Sequence, residues 1–160
     1  MIQLVECPRD AMQGFENFIP TNLKAEYINM LLNVGFHTID FGSFVSPKAI
    51  PQMRDTAEVL SKLNLEDSTS KLLAIVANSR GAEQAASFSE IHYLGYPFSV
   101  SEVFQKRNTN RTIEDSLILV DRMQNLVAKQ NKELVVYLSM AFGNPYQEVW
   151  HPDIVAKYTE

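Results

Sequence analysis

The feature that most narrows the fold is a strict alternation of short apolar runs with helix-like stretches. Residues 2–6 read as a strand, followed by a polar, Pro- and Gly-bearing loop to Pro20, after which Thr21 is placed to cap a helix. Leu23, Tyr27, Ile28, Leu31 and Leu32 then recur at helical spacing, and Gly35 is a natural stop. Residues 36–41 read as a second strand, 42–51 as a connection, and Met53, Ala57 and Leu60 as the buried side of a second helix. Residues 72–77 form a nearly continuous apolar run, the kind of strand covered on both faces in a parallel sheet, and a short helix follows through Ala82 and Ala86. Residues 91–96 make a fourth strand. Thr112, with Asp115 three residues later, resembles a capping box opening a helix through Ile113, Leu117, Val120, Met123 and Val127. Residues 134–139 make a fifth strand, and Pro152 suits the first turn of another helix.

Parallel neighbours need a long return connection, which a helix supplies, so the class is α/β with a parallel sheet. An open doubly wound sheet and a (β/α)8 barrel both fit. The barrel normally takes about 250 residues, and five strands in 160 residues have the spacing of a barrel cut short. The open nucleotide-binding sheet loses ground because no G-x-G-x-x-G or G-x-x-x-x-G-K-[ST] follows any strand. The expectation is therefore a TIM barrel truncated after about five βα units, residues 1–160 forming one incomplete domain. Such a piece should show an open, curved sheet with an exposed apolar concave face and two unpaired edges, and should tend to form homo-oligomers.

Charge and composition remove several function classes. Fourteen basic against nineteen acidic side chains give −5 with no Lys/Arg run, so no nucleic-acid partner is expected. No apolar stretch is long enough to cross a bilayer, and Met1-Ile2-Gln3-Leu4 lacks the regions of a signal peptide. Cys7 is the only cysteine, which forbids an internal disulfide and agrees with a cytoplasmic location.

In βα barrels the reacting groups gather at the C-terminal ends of strands. The first such loop sets Arg9 beside Asp10. Read as an extended segment, the two cannot point the same way, so one could hold a metal while the other meets an anionic substrate group. A solvated surface ion pair is the alternative. The second strand carries Asp40, which would lie beside Asp10 if the strands are neighbours. Two such carboxylates suit a hard cation or acid/base chemistry, or Asp40 caps a turn. Cys7 reads as a small, half-buried residue, and His37, His92 and His151 as structural or surface residues, since no two are close in sequence.

Residues 43–53, SFVSPKAIPQM, resemble the signature after the second strand of hydroxymethylglutaryl-CoA lyases, and Pro8-Arg9-Asp10 with Gln13 is similar to their first-strand motif. Ser101-Glu102 with Phe104 and Asn108, and residues 137–146, YLSMAFGNPY, agree in order and spacing. The resemblance implies cleavage of an acyl-CoA into acetyl-CoA and acetoacetate, with Mg²⁺ or Mn²⁺ as cofactor. It implies Arg9 as the catalytic, substrate-binding arginine at the enolate oxygen, Asp10 as a metal ligand, and Gln13, Ser43 and Tyr137 as pocket residues. Asp40 matches a catalytic position where the family usually has Glu, one methylene longer.

Departures accompany the match. Ala11-Met12-Gln13-Gly14 replaces the family's Gly-Leu-Gln-Asn, and Met140 and Asn144 stand where Cys is common. The family's later His-x-His pair and Gly-rich Cys loop have no counterpart here. A related condensing barrel, of the isopropylmalate or homocitrate synthase kind, and a catalytically silent fragment are the rival readings.

Overall fold

Every strand of the sheet runs parallel to its neighbours, in the order β1-β2-β3-β4-β5. The computed structural model describes residues 2–159, so the first and last residues of the expected 1–160 domain lie outside them. The strands are β1 (Val5–Glu6), β2 (Thr38–Ser43), β3 (Lys71–Ile75), β4 (Ile91–Ser99) and β5 (Glu133–Ser139). The helices are α1 (Pro8–Gln13), α2 (Thr21–Leu32), α3 (Thr56–Leu60), α4 (Ser79–Ala86), α5 (Glu102–Thr109), α6 (Ile113–Lys129) and α7 (Pro152–Lys157), with a 3₁₀ turn at Pro51–Met53. Sequential parallel order with a helix in each crossover makes half of a βα barrel.

The two faces of the sheet follow strand alternation. Leu72, Ala74 and Val76 join Ile28, Leu119, Met123 and Val127 in the core under the helices. Ile28, Leu72 and Val127 have no exposed surface, and burying such a side chain contributes about 1.5–3 kcal/mol. Leu73 and Ile75 point the other way and meet Tyr93, with Val45 and Val135 against them. The expected bare concave face is therefore bare only in part, because side chains from adjacent strands fill its middle. Gly95 permits this, since a Cβ there would stand 2.6 Å from Ile75 Cδ1 and 3.1 Å from Tyr137 Cε2. Openness is concentrated at the edges: Val5 in β1 and Val136 in β5 are exposed, while Tyr137 in β5 keeps 36% of its surface exposed with its ring packed over Gly95.

Several boundaries differ from the sequence reading for local reasons. β1 is two residues long because Ile2 and Leu4 project into solvent. β4 runs on through Pro97, which is tolerated because its pairing with β3 ends at Gly95 and Pro97 has only Tyr137 opposite it. Two short helices stand where none was expected, α1 within the presumed first loop and α5 before the long helix. Thr21 does not cap α2; Pro20 precedes it, and the Thr21 hydroxyl donates to Asp55 at 2.8 Å. Leu23 and Leu117, assigned to buried stripes, are exposed, and the neighbouring Lys24 and Ser116 are buried in their place. Lys24 is carried inside by an ion pair to Asp55 at 2.7 Å and a bond to the Gln52 carbonyl. Thr112 does cap α6, accepting from the Asp115 amide at 3.0 Å.

Candidate active site

The C-terminal ends of the strands enclose a cavity of about 700 Å³. The turn after β1 folds as α1, with Pro8 at its first position, where a missing N–H costs nothing. A helix, unlike the extended segment expected, lets adjacent residues converge: Arg9 Nη1 donates to Asp10 Oδ1 at 3.0 Å. The same nitrogen donates to Gln13 Oε1 at 3.0 Å, one helical turn on. The other side of the guanidinium grips Asp40, Nε at 3.2 Å from both carboxylate oxygens and Nη2 at 2.6 Å from Oδ2.

Asp40 is 1% exposed and Arg9 13%, whereas Asp10 is 67% exposed. The expected pairing of Asp10 with Asp40 around one cation does not occur, because Arg9 lies between them. Burial pushes the Asp40 carboxyl above its ordinary range, against the lowering effect of Arg9. Burial would also lower the Arg9 pKa, but the bonds to Asp40 and the charges of both carboxylates leave it raised. An arginine offers five N–H donors. Nε–H, one Nη2 hydrogen and both Nη1 hydrogens are engaged here, which leaves the second Nη2 hydrogen for a ligand.

Arg9, Asp10, Gln13, Ser43 and Tyr137 all line the cavity, whereas Asp40 lies behind Arg9. The buried Ser43 hydroxyl has no hydrogen-bond partner, an unusual condition for a polar group. Tyr137 closes the β5 side, its phenol pushed up to about 12 by burial and then by the charge of Asp40. Cys7 precedes α1 and is exposed, not half-buried as expected. His37 immediately precedes β2, His92 lies exposed in β4, and His151 accepts from the Asp153 amide to cap α7; none lines the cavity.

On the far rim of the cavity Asn108, part of the motif after the fourth strand, is joined by Arg107, Asn110 and Arg111, which were not expected there; they converge from α5 and the turn beyond it. Ser101 was the available signal, since its hydroxyl accepts from the Phe104 amide and starts α5.

A divalent cation taking about six oxygen ligands commonly uses one or two carboxylates together with water and substrate. Asp10 fits as one such ligand. Among the described residues, however, no three His, Cys, Asp or Glu side chains lie close enough to hold a metal ion. These residues do not make a metal site by themselves.

No protein-family model matches the chain. Among curated proteins, it is 34% identical over 162 residues to the mitochondrial hydroxymethylglutaryl-CoA lyase of Macaca fascicularis, covering 99% of this chain and 49% of that protein. The Bacillus subtilis hydroxymethylglutaryl-CoA lyase is 34% identical over 141 residues, covering 88% and 46%. Among solved structures, the Bacillus subtilis HMG-CoA lyase superposes with a TM-score of 0.91 at 31% identity, over 99% of this chain and 53% of that one. The HMG-CoA lyase of Acinetobacter baumannii, in complex with coenzyme A and 3-methylmalate, gives 0.90 at 26%, over 99% and 51%. The chain thus spans about half the length of the curated relatives it matches. By sequence and fold the chain is similar to the N-terminal half of hydroxymethylglutaryl-CoA lyases.

Proposed function

We propose that the protein carries the first half of the active site of a hydroxymethylglutaryl-CoA lyase, a carbon–carbon lyase that releases acetyl-CoA and acetoacetate. The observation that carries this reading is the Arg9 guanidinium, fixed by buried Asp40 at the cavity wall with one Nη2 hydrogen unclaimed. In a retro-Claisen cleavage the electron pair of the breaking C–C bond moves into the thioester, and negative charge gathers on its oxygen. A preorganised cationic donor at that oxygen stabilises the transition state more than the ground state. Asp40 acts through Arg9, as its positioning residue. Ser43 lines the pocket with its hydroxyl buried and unpartnered among the described residues, Gln13 steadies Arg9, and Tyr137 forms the far wall as a neutral phenol.

Asp10 would supply one oxygen to a divalent cation, Mg²⁺ or Mn²⁺, whose chemistry there would be to acidify the tertiary hydroxyl of the substrate; the described residues would not complete its ligand set. Residues 1–160 act as one incomplete domain, whose open edges favour association with further strands or a second copy. The single cysteine favours the cytoplasm; curated relatives include a rat enzyme named as cytoplasmic and several named as mitochondrial. Among the described residues no helix is long and apolar enough to cross a membrane.

The test is acetoacetate release from hydroxymethylglutaryl-CoA with Mg²⁺ or Mn²⁺, by the protein alone and mixed with the C-terminal half of a relative. Metal-dependent release that requires the added half is expected. Consumption of acetyl-CoA with a 2-oxo acid, and no cleavage, would replace this reading with the condensing one. A second reading, a half-barrel that binds without turnover, is favoured by the absence, among the described residues, of three His, Cys, Asp or Glu side chains close enough to hold a metal ion, and no product in either mixture would select it.

A further inference from the structure

Three of the cavity's arginines stand in different electrostatic company. Arg9 is neutralised by two carboxylates. Arg107 and Arg111, on the opposite rim, have no carboxylate within ion-pair distance among the described residues. This is not for want of acids nearby. Glu102 accepts from Lys106 at 2.9 Å and from the Ile113 amide at 2.8 Å. Asp115 is taken up by the Thr112 hydroxyl at 2.8 Å, and Glu148 by the Ser101 hydroxyl and the Val103 amide. These three carboxylates are committed to a helix end or to another cation, and Arg107 and Arg111 line the cavity without an ion-pair partner among the described residues.

Arg107 is also held in place. Its guanidinium carbon lies 5.0 Å from the centre of the Tyr146 ring, an arrangement that restrains the group while leaving its N–H groups available. Tyr146 is set in turn by Asn144, whose side-chain oxygen accepts from the Tyr146 and Glu148 amides at 3.0 and 3.2 Å. The loop after β5 thus braces α5 at its start, through Glu148, and near its end, through Tyr146. Asn110, in the left-handed region at φ 55°, ends α5 and turns the chain back so that Arg111 also reaches the cavity wall. In a chain of net charge −5, this rim is a local site of attraction for anions.

We propose that Arg107 and Arg111 form a phosphate-recognising rim that holds the phosphorylated end of the ligand at the cavity mouth, on the opposite side from Arg9. The proposal rests on the acyl-CoA reading for the identity of that ligand, but the anion site itself does not. Arg9 follows β1 and the rim follows β4, three strand spacings or about 14 Å along the sheet. An extended ligand with its reacting thioester at one end and its phosphates at the other spans such a separation. The forked guanidinium suits phosphate oxygens, which accept two parallel hydrogen bonds from it.

The experiment measures calorimetric binding of coenzyme A, adenosine 3′,5′-bisphosphate and pantetheine to the purified protein and to Arg107→Ala, Arg111→Ala, Tyr146→Leu and Lys106→Ala. Circular dichroism checks that each variant keeps its fold. Coenzyme A and the bisphosphate should bind at least tenfold more tightly than pantetheine, which has no phosphate. Arg107→Ala and Arg111→Ala should each lose about tenfold for the two phosphorylated ligands and nothing for pantetheine. Tyr146→Leu should show a smaller loss of the same pattern, and Lys106→Ala should be unchanged. Equal binding of all three ligands, phosphate-dependent binding that survives both arginine substitutions, or no binding of either phosphorylated ligand would each overturn the proposal. Phosphate-dependent binding lost in the arginine variants, in a protein showing no lyase activity with an added C-terminal half, would uphold the rim and reject the lyase reading.

Discussion

The two banks of the cavity use the same side chain in opposite ways. On the β1–β2 bank, Arg9 is nearly buried and held by three hydrogen bonds to one carboxylate and one to another. On the β4–β5 bank, Arg107 and Arg111 have no such partners among the described residues, and Arg107 lies against an aromatic ring. A clamped guanidinium with one free hydrogen can meet charge developing at a single atom. An unclamped one in water can attract a highly charged group but cannot fix it to a fraction of an ångström. Under the proposed function, this difference assigns chemistry to the first bank and capture to the second.

The largest effect should follow from Arg9→Gln. In an active lyase preparation, kcat is expected to fall by about 10²–10³, the usual cost of removing one oxyanion donor, with KM changed no more than a few-fold. A loss confined to KM would make Arg9 a second capture residue and erase the contrast between the banks. Ionic strength separates them from the other direction. Exposed charges are screened within about 10 Å at 0.1 M salt, so raising salt from about 0.05 to 0.5 M should weaken coenzyme A binding by about tenfold or more. Arg107→Ala/Arg111→Ala should flatten that dependence, and kcat at saturating substrate should hardly respond to salt. A salt slope unaffected by the double substitution would place the capture charges elsewhere.

How much of this was legible in the sequence follows from what each feature depends on. Parallel order, the five strands and the cap of α6 by Thr112 follow from local periodicity and a single side chain. The gathering of Arg9, Gln13, Ser43 and Tyr137 around one cavity follows from strand polarity, since all lie at strand C-termini or just beyond them. The Arg9 clamp was not legible, because it depends on α1 forming in six residues that read equally well as a loop. Lys24 escaped for a similar reason: a lysine next to an apolar position reads as surface until Asp55, 31 residues away, is seen to meet it. The arginine rim was hidden because what distinguishes Arg107 from its neighbour Lys106 is the bond that Lys106 makes to Glu102.

A smaller effect should come from Asp40→Asn, read as stability against pH. Because burial raises the folded-state pKa of Asp40, the native state favours its protonated form relative to the unfolded chain. That contribution is complete below the ordinary carboxylate pKa of about 3.9 and is lost as pH rises through the raised folded value. Asparagine removes the titration. Urea unfolding should therefore show the difference between variant and parent moving in the variant's favour as pH rises above about 4. A difference that moves the other way would mean that Arg9 outweighs burial and lowers the carboxyl.

The smallest effect belongs to Tyr137, on the wall between the banks. Its phenol is pushed up to about 12, first by burial and then by Asp40. The folded state thus disfavours the phenolate relative to the unfolded chain, whose tyrosines ionise near 10. The stability linked to this shift is fully present below pH 10 and is lost as pH rises from 10 through about 12. Tyr137→Phe should flatten the alkaline limb of the stability profile in that window and leave neutral-pH stability nearly unchanged, because the ring itself remains. Absorbance titration at alkaline pH should show, in the parent minus variant difference, one tyrosine ionising at about 12. Combined with Asp40→Asn, the midpoint of that difference should drop, since the charge next in importance after burial has been removed. A midpoint indifferent to Asp40 would mean that the wall is shaped by burial alone and that the charge of the Arg9 bank does not extend across the cavity.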